Sequence, residues 1–135
     1  MGELEEKLRQ IAGSPVDLST VEAGGKVIKL RNPLASNRIL ANELADGSAA
    51  LVPPFEAMLC VVSINGDAQA RPTSRSRMDV LADRLGLEAM EAVTLWYRDK
   101  TFPELKEAIE ELGEDGTMQD AMMLAVKKRR EKSKN

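Results

Sequence analysis

The side chains able to do chemistry in this sequence are few. Its 135 residues hold no histidine and one cysteine, Cys60. That leaves no Ser-His-Asp triad, no Cys-His pair and no histidine-bearing zinc site. General acid–base work at neutral pH would fall to a carboxylate or lysine with a displaced pKa, and no spacing here marks one. A single cysteine rules out an internal disulfide. The expectation is a protein that is not an enzyme and carries no cofactor or metal.

Four groups of residues remain. The acids Glu107, Glu110, Glu111, Glu114 and Asp115 suggest a hard-cation site, but a calcium loop needs carboxylates at alternating positions with a glycine and a closing glutamate. The stretch EELGEDGTMQD does not supply that register, so a solvated helix face is expected. Arg71, Arg75 and Arg77 flank Thr73 and Ser74 in RPTSRSR, either as a phosphate-binding helix start or as a capped helix with exposed arginines. Met118, Met122 and Met123 sit on one prospective helix. Flexible, polarizable side chains suit an adaptable docking surface or ordinary core filling. Trp96 and Tyr97 are adjacent and point about 100° apart on a helix. One can be buried while the other meets a partner, so both join the methionines as partner-binding candidates. The cluster Gly24-Gly25-Lys26 lacks phosphate-loop spacing.

Charge is unevenly placed. The net charge is −3, but residues 127–135, KKRREKSKN, carry +5, so the remainder carries −8. Residues 104–115 alone carry −5. Lys127, Lys128, Arg129 and Arg130 are therefore the candidate contact residues of a basic tail. It is either a solvated terminus or a strand of charge that docks on an acidic surface. Nucleic acid is the less favoured partner, because the tail has no aromatic to stack on a base and the acidic body would repel phosphates.

The elements that must position these residues are mostly helical. Leu4, Leu8 and Ile11 predict a helix over 3–12, with acids in its first turn. Residues 14–25 read as turn-rich. KVIKLR (26–31) reads as a strand. Ser36 is placed to cap a helix over 36–45 whose apolar side holds Ile39, Leu40 and Leu44. Pro53-Pro54 leads into a buried helix over 54–63, whose Val-Val-Ser-Ile end is equally readable as a strand. Asn65-Gly66-Asp67 predicts a tight turn in a small hairpin over 64–71. Thr73 or Ser74 caps the next helix, with Met78, Leu81, Ala82 and Leu85 inward and Gly86 at its end. A helix over 87–99 carries Leu87, Met90, Val93 and Tyr97 on one face, widened by Leu95 and Trp96. Phe102-Pro103 starts another over 103–112, with Leu105, Ile109 and Leu112 inward and Gly113 ending it. The last helix turns Met118, Ala121, Met122, Ala125 and Val126 inward and dissolves into the tail. The fold class expected is mainly α: one small helical domain over 1–126, with five to seven short helices and one or two short strands or a small β-hairpin. A flexible basic tail follows over 127–135. No window reaches the ~20 apolar residues of a membrane span, and the acidic start MGELEEKLRQ is unlike a secretory signal.

These residues resemble a family. A strand with a basic-apolar phrase (Val27–Leu30), a helix with a polar face (Ile39–Leu44), and an apolar helix (Phe55–Ile64) running to an Asn65-Gly66-Asp67 turn come first. A helix ending in Arg84-Leu85-Gly86 and a further helix follow. This order is similar to the tail assembly chaperones of long-tailed bacteriophages, over roughly residues 26–98. The resemblance implies a non-enzymatic protein of the host cytoplasm, absent from the mature virion. It would hold the helical, aggregation-prone tape measure protein in solution, help recruit tail tube protein, and act as a homo-oligomer. Many such genes also add an extension by ribosomal frameshifting. The alternatives are a small structural or connector protein of a phage particle, or a nucleic-acid-associated regulator using the basic tail.

Overall fold

The computed structural model describes residues 18–133; the helix expected over 3–12 lies outside them. The chain divides into two compact units, one up to Tyr97 and one from Arg98 onward, where the sequence reading set a single domain over 1–126.

The first unit is built around two tight turns. β1 (Ser19–Ala23) and β2 (Lys26–Leu30) pair antiparallel with Ala23 opposite Lys26. Their loop is thus Gly24-Gly25, with φ of 59° and 73°. A two-residue turn between right-twisted strands demands positive φ at both positions, which glycine adopts without a steric cost. β3 (Val61–Ile64) and β4 (Asp67–Ala68) are joined the same way by Asn65 and Gly66, at φ 51° and 84°. The Asn65 side chain then ties this turn to the neighbouring strand, its Oδ1 accepting the Val27 N–H at 2.8 Å. The four strands form one antiparallel sheet in the order β1-β2-β3-β4. A bulge between Lys29 and Leu30 brings Leu30 opposite Val61.

Between β2 and β3 the chain leaves the sheet through α1 (Ala35–Ala45), a 3₁₀ turn (Ala49–Leu51) and α2 (Val52–Met58). After β4 come α3 (Arg75–Leu85) and α4 (Leu87–Thr101). Ile28, Leu30, Phe55, Met58, Leu59, Met78, Leu81, Leu85 and Val93 form the core beneath the sheet. Ser74 caps α3, its Oγ accepting the Arg77 N–H at 3.3 Å. At the other end, Lys26 Nζ donates to the Leu85 carbonyl at 2.7 Å, a cation on an orphan carbonyl at a helix C-terminus.

The protein is mainly helical; the described residues hold six α-helices and four strands, more than the one or two strands or small hairpin expected. β1 falls inside the stretch read as turn-rich. The segment read as one helix over 54–63 divides at Met58, and Val61–Ile64 joins the sheet. Its β-branched residues gain a ladder partner in β2 that no local periodicity announces. Leu34, not Ser36, stands at the start of α1, with no side-chain cap. The inward face of α1 is Asn37, Ala41 and Ala45, with Leu40 and Leu44 half-buried, while Ile39 is 66% exposed. Alanines on that face let α1 approach α2 closely. On α4 the buried residues are Ala89, Val93 and Tyr97, with Leu87 and Leu95 outside.

The second unit is a helical hairpin of α5 (Pro103–Leu112) and α6 (Met118–Ser133). Pro103 opens α5, where its missing N–H costs nothing. Thr117 Oγ1 accepts the Asp120 N–H at 3.1 Å and caps α6. The buried contact is small: Leu105 and Ala108 against Ala121 and Ala125, flanked by Phe102, Ile109, Leu112 and Leu124. Lys127–Ser133, expected as flexible tail, are the last turns of α6.

Candidate functional site

The surface that stands out is on α6. Packing Ala121 and Ala125 inward leaves Met118, Met122 and Val126, spaced by four residues, as one ridge beside the buried stripe. Their exposures are 57%, 40% and 40%, and Met123, 100° further round, is 67% exposed. The sequence periodicity set Met118, Met122 and Val126 on the inward face, beside the reading of Met118, Met122 and Met123 as docking residues. The hairpin instead uses alanines at its contact, because small residues let two helices approach, and this turns the long side chains outward.

The basic residues of α6 divide into two sets. Lys128 pairs with Glu111 at 2.7 Å, and Lys132 with Glu107 at 3.2 Å. Arg129 reaches Glu104 at 3.1 Å and the Thr101 carbonyl at 2.7 Å, and lies 4.4 Å over the Phe102 ring. The acidic surface that this tail meets is thus on its own unit, and these pairs hold the last turns helical. The Glu104 carboxyl sits below its usual range, first through a backbone hydrogen bond at its own residue and then through Arg129. The Lys128 ammonium sits above its usual range because of its hydrogen bond to Glu111. Lys127 and Arg130 stay exposed and, among the described residues, form no ion pair.

In the first unit, Trp96 and Tyr97 separate as their 100° offset requires. Tyr97 is buried and donates its hydroxyl to Glu56 Oε2, so it is withdrawn from the partner-binding set. Trp96 is half-buried against the core. Tyr97 belongs to a buried polar cluster that the sequence did not reveal. Glu56, 3% exposed, also takes a hydrogen bond of 2.9 Å from Arg38 Nε. Asn37 Nδ2 lies 3.8 Å from Cys60 Sγ, and the Cys60 thiol points back to the Glu56 carbonyl at 3.6 Å. The one signal was a lone acid inside the apolar run PPFEAMLC; its partners, 18 and 41 residues away, carried none. Burial pushes the Cys60 thiol up to about 11, which leaves it protonated and a poor nucleophile at neutral pH. Burial, then the carboxylate of Glu56, likewise pushes the Tyr97 phenol upward. The Arg38 guanidinium is held above its usual range by its hydrogen bond to Glu56. Every charge in the cluster is matched across a hydrogen bond, which is an arrangement that fixes α2 against α1 and α4.

Of the arginines in RPTSRSR, Arg75 pairs with Asp79 at 3.2 Å and lies 5.2 Å over the Phe55 ring. Among the described residues no three His, Cys, Asp or Glu side chains gather as a metal site. No described helix is long and apolar enough to cross a membrane. No protein-family model, curated protein or solved structure matches this chain.

Proposed function

We propose that this protein is a non-enzymatic holdase of the phage tail assembly type, working in the host cytoplasm and absent from the mature particle. Its client is a long helical chain such as a tape measure protein, which it keeps soluble while tail tube subunits are recruited. The observation that carries this reading is the ridge of Met118, Met122 and Val126, with Met123 beside it, left uncovered on α6. An apolar stripe at four-residue spacing is the shape an amphipathic helix accepts from another helix, and methionine adapts to varied sequence.

Magnitudes then bear on assembly. A fully buried apolar side chain contributes roughly 1.5–3 kcal/mol. Four half-exposed ones would add about 1 kcal/mol each on docking, which even before the cost of association is subtracted corresponds to no better than a millimolar contact. One ridge cannot hold a client at cellular concentrations, whereas several copies along one long chain multiply the effect. A homo-oligomer, or a row of copies on the client, follows from that arithmetic.

The test uses a recombinant helical segment of a siphovirus tape measure protein that precipitates alone. Light scattering follows its aggregation with and without this protein, and sedimentation reports the stoichiometry. Suppressed aggregation with several copies per client supports the proposal, together with at least about tenfold loss in Met118→Glu/Met122→Glu. Undiminished aggregation beside the wild-type protein would defeat it.

A further inference from the structure

A separate feature lies in the first unit. Gln69, Ala70, Arg71 and Pro72, following β4, form one wall of a groove of about 230 Å³, and Arg77, Val80, Leu81 and Arg84 of α3 form the other. Its apolar lining comes from Ala70, Pro72, Val80 and Leu81: Pro72 and Leu81 are buried, and Val80 is 49% exposed. Three guanidinium groups surround it. Among the described residues, none of Arg71, Arg77 and Arg84 is ion-paired with a carboxylate. Arg84 Nη1 donates only to the neutral Gln69 Oε1, at 2.9 Å. Arg75, outside the groove, is already matched by Asp79.

We infer that this groove is a docking site for an acidic amphipathic helix of a partner protein. On α3, Arg77, Val80, Leu81 and Arg84 occupy i, i+3, i+4 and i+7, an apolar pair bracketed by two cations. The cations are two turns apart, about 10.5 Å along the axis. A helix with carboxylates two turns apart around a pair of leucines presents the complementary face. Guanidinium suits that role because its planar fork takes a carboxylate through two parallel hydrogen bonds. The groove is too small for a drug-sized ligand, and it admits one or two side chains from a helix lying across it. A nucleic acid is the poorer fit, since no aromatic lines the groove for stacking. The inference is independent of the methionine ridge, which belongs to the other unit and is tested with a different ligand.

The experiment is fluorescence anisotropy with the full chain and a labelled helical peptide about four turns long. The peptide carries Glu at i and i+7 around Leu at i+3 and i+4. The expected result is saturable binding that weakens between about 0.02 and 0.3 M salt. Arg77→Gln/Arg84→Gln should weaken it at least about tenfold, Arg71→Gln should weaken it less, and Arg75→Gln should leave it unchanged. Val80→Glu, an exposed position, supplies a second disabling variant. Circular dichroism confirms that each variant is folded. The inference is overturned if the peptide fails to bind, or if a scrambled peptide of the same composition binds equally well. It also falls if Arg77→Gln/Arg84→Gln has no effect, or if single-stranded DNA outcompetes the peptide and is lost in that variant. Sedimentation showing that the protein self-associates through these arginines, with no peptide bound, would give the groove to a second copy and sink the inference.

Discussion

Replacing Tyr97 by phenylalanine removes the hydroxyl that donates to Glu56 Oε2. The ring stays in the core, so the change is the loss of a buried hydrogen bond to a carboxylate, worth roughly 1.5–3 kcal/mol. We expect about 2 kcal/mol. With a urea slope near 2 kcal/mol/M, the unfolding midpoint should fall by about 1 M. Arg38 binds the other oxygen of the same carboxylate, but its side chain is 67% exposed, so Arg38→Ala should cost less than about 1 kcal/mol. A cycle with Glu56→Gln should give a Tyr97–Glu56 coupling of about 1–2 kcal/mol. Alkaline pH adds a second reading. The phenol is pushed above its ordinary range when folded, so the unfolded chain loses this proton first. The stabilisation is complete below about pH 9 and is lost as pH rises past about 10, with a slope of up to about 1.4 kcal/mol per pH unit. Tyr97 is the only tyrosine, so tyrosinate absorbance reports it directly, and Tyr97→Phe should remove its part of the slope. If Tyr97→Phe stayed within about 0.5 kcal/mol of wild type, the tyrosine would hold its place by packing alone and the account of the cluster would be wrong.

Three further outcomes are expected. Cys60, the only thiol, is buried and pushed up to about 11, so a disulfide reagent at pH 8 should leave the native protein unmodified and label it stoichiometrically in denaturant. Gly66, at φ 84°, has open space for a methyl group. Any loss in Gly66→Ala is therefore backbone strain, expected at about 1 kcal/mol or more by urea unfolding. In the hairpin, Ala125→Leu overfills a fully buried position. It should cost about 1–3 kcal/mol, seen as lower helicity on heating, whereas Val126→Leu on the exposed side should be nearly neutral.

The sequence by itself determined the features that local chemistry dictates. The Asn65-Gly66 turn, the Ser74 cap, Pro103 at a helix start and glycines at 86 and 113 are all where the backbone requires those residue types. The mainly helical class and the inward set Met78, Leu81 and Leu85 follow from a 3.6-residue period that needs no partner to be read. Tertiary structure decided the rest, for a common reason: each feature depends on what lies opposite. Ser19–Ala23 and Val61–Ile64 are strands because β2 offers both its edges. Asn37 turns in and Ile39 out because α2 admits small residues at close approach, and a helix face can rotate by 100° at little local cost. Met118 and Met122 face outward because alanines make the hairpin contact. Residues 127–133 are helical because Glu104, Glu107 and Glu111 sit across from them. Glu56 is buried because an arginine and a tyrosine, far along the chain, converge on its two oxygens, and the three arginines of the α3 groove become one site only when the loop after β4 folds back beside that helix.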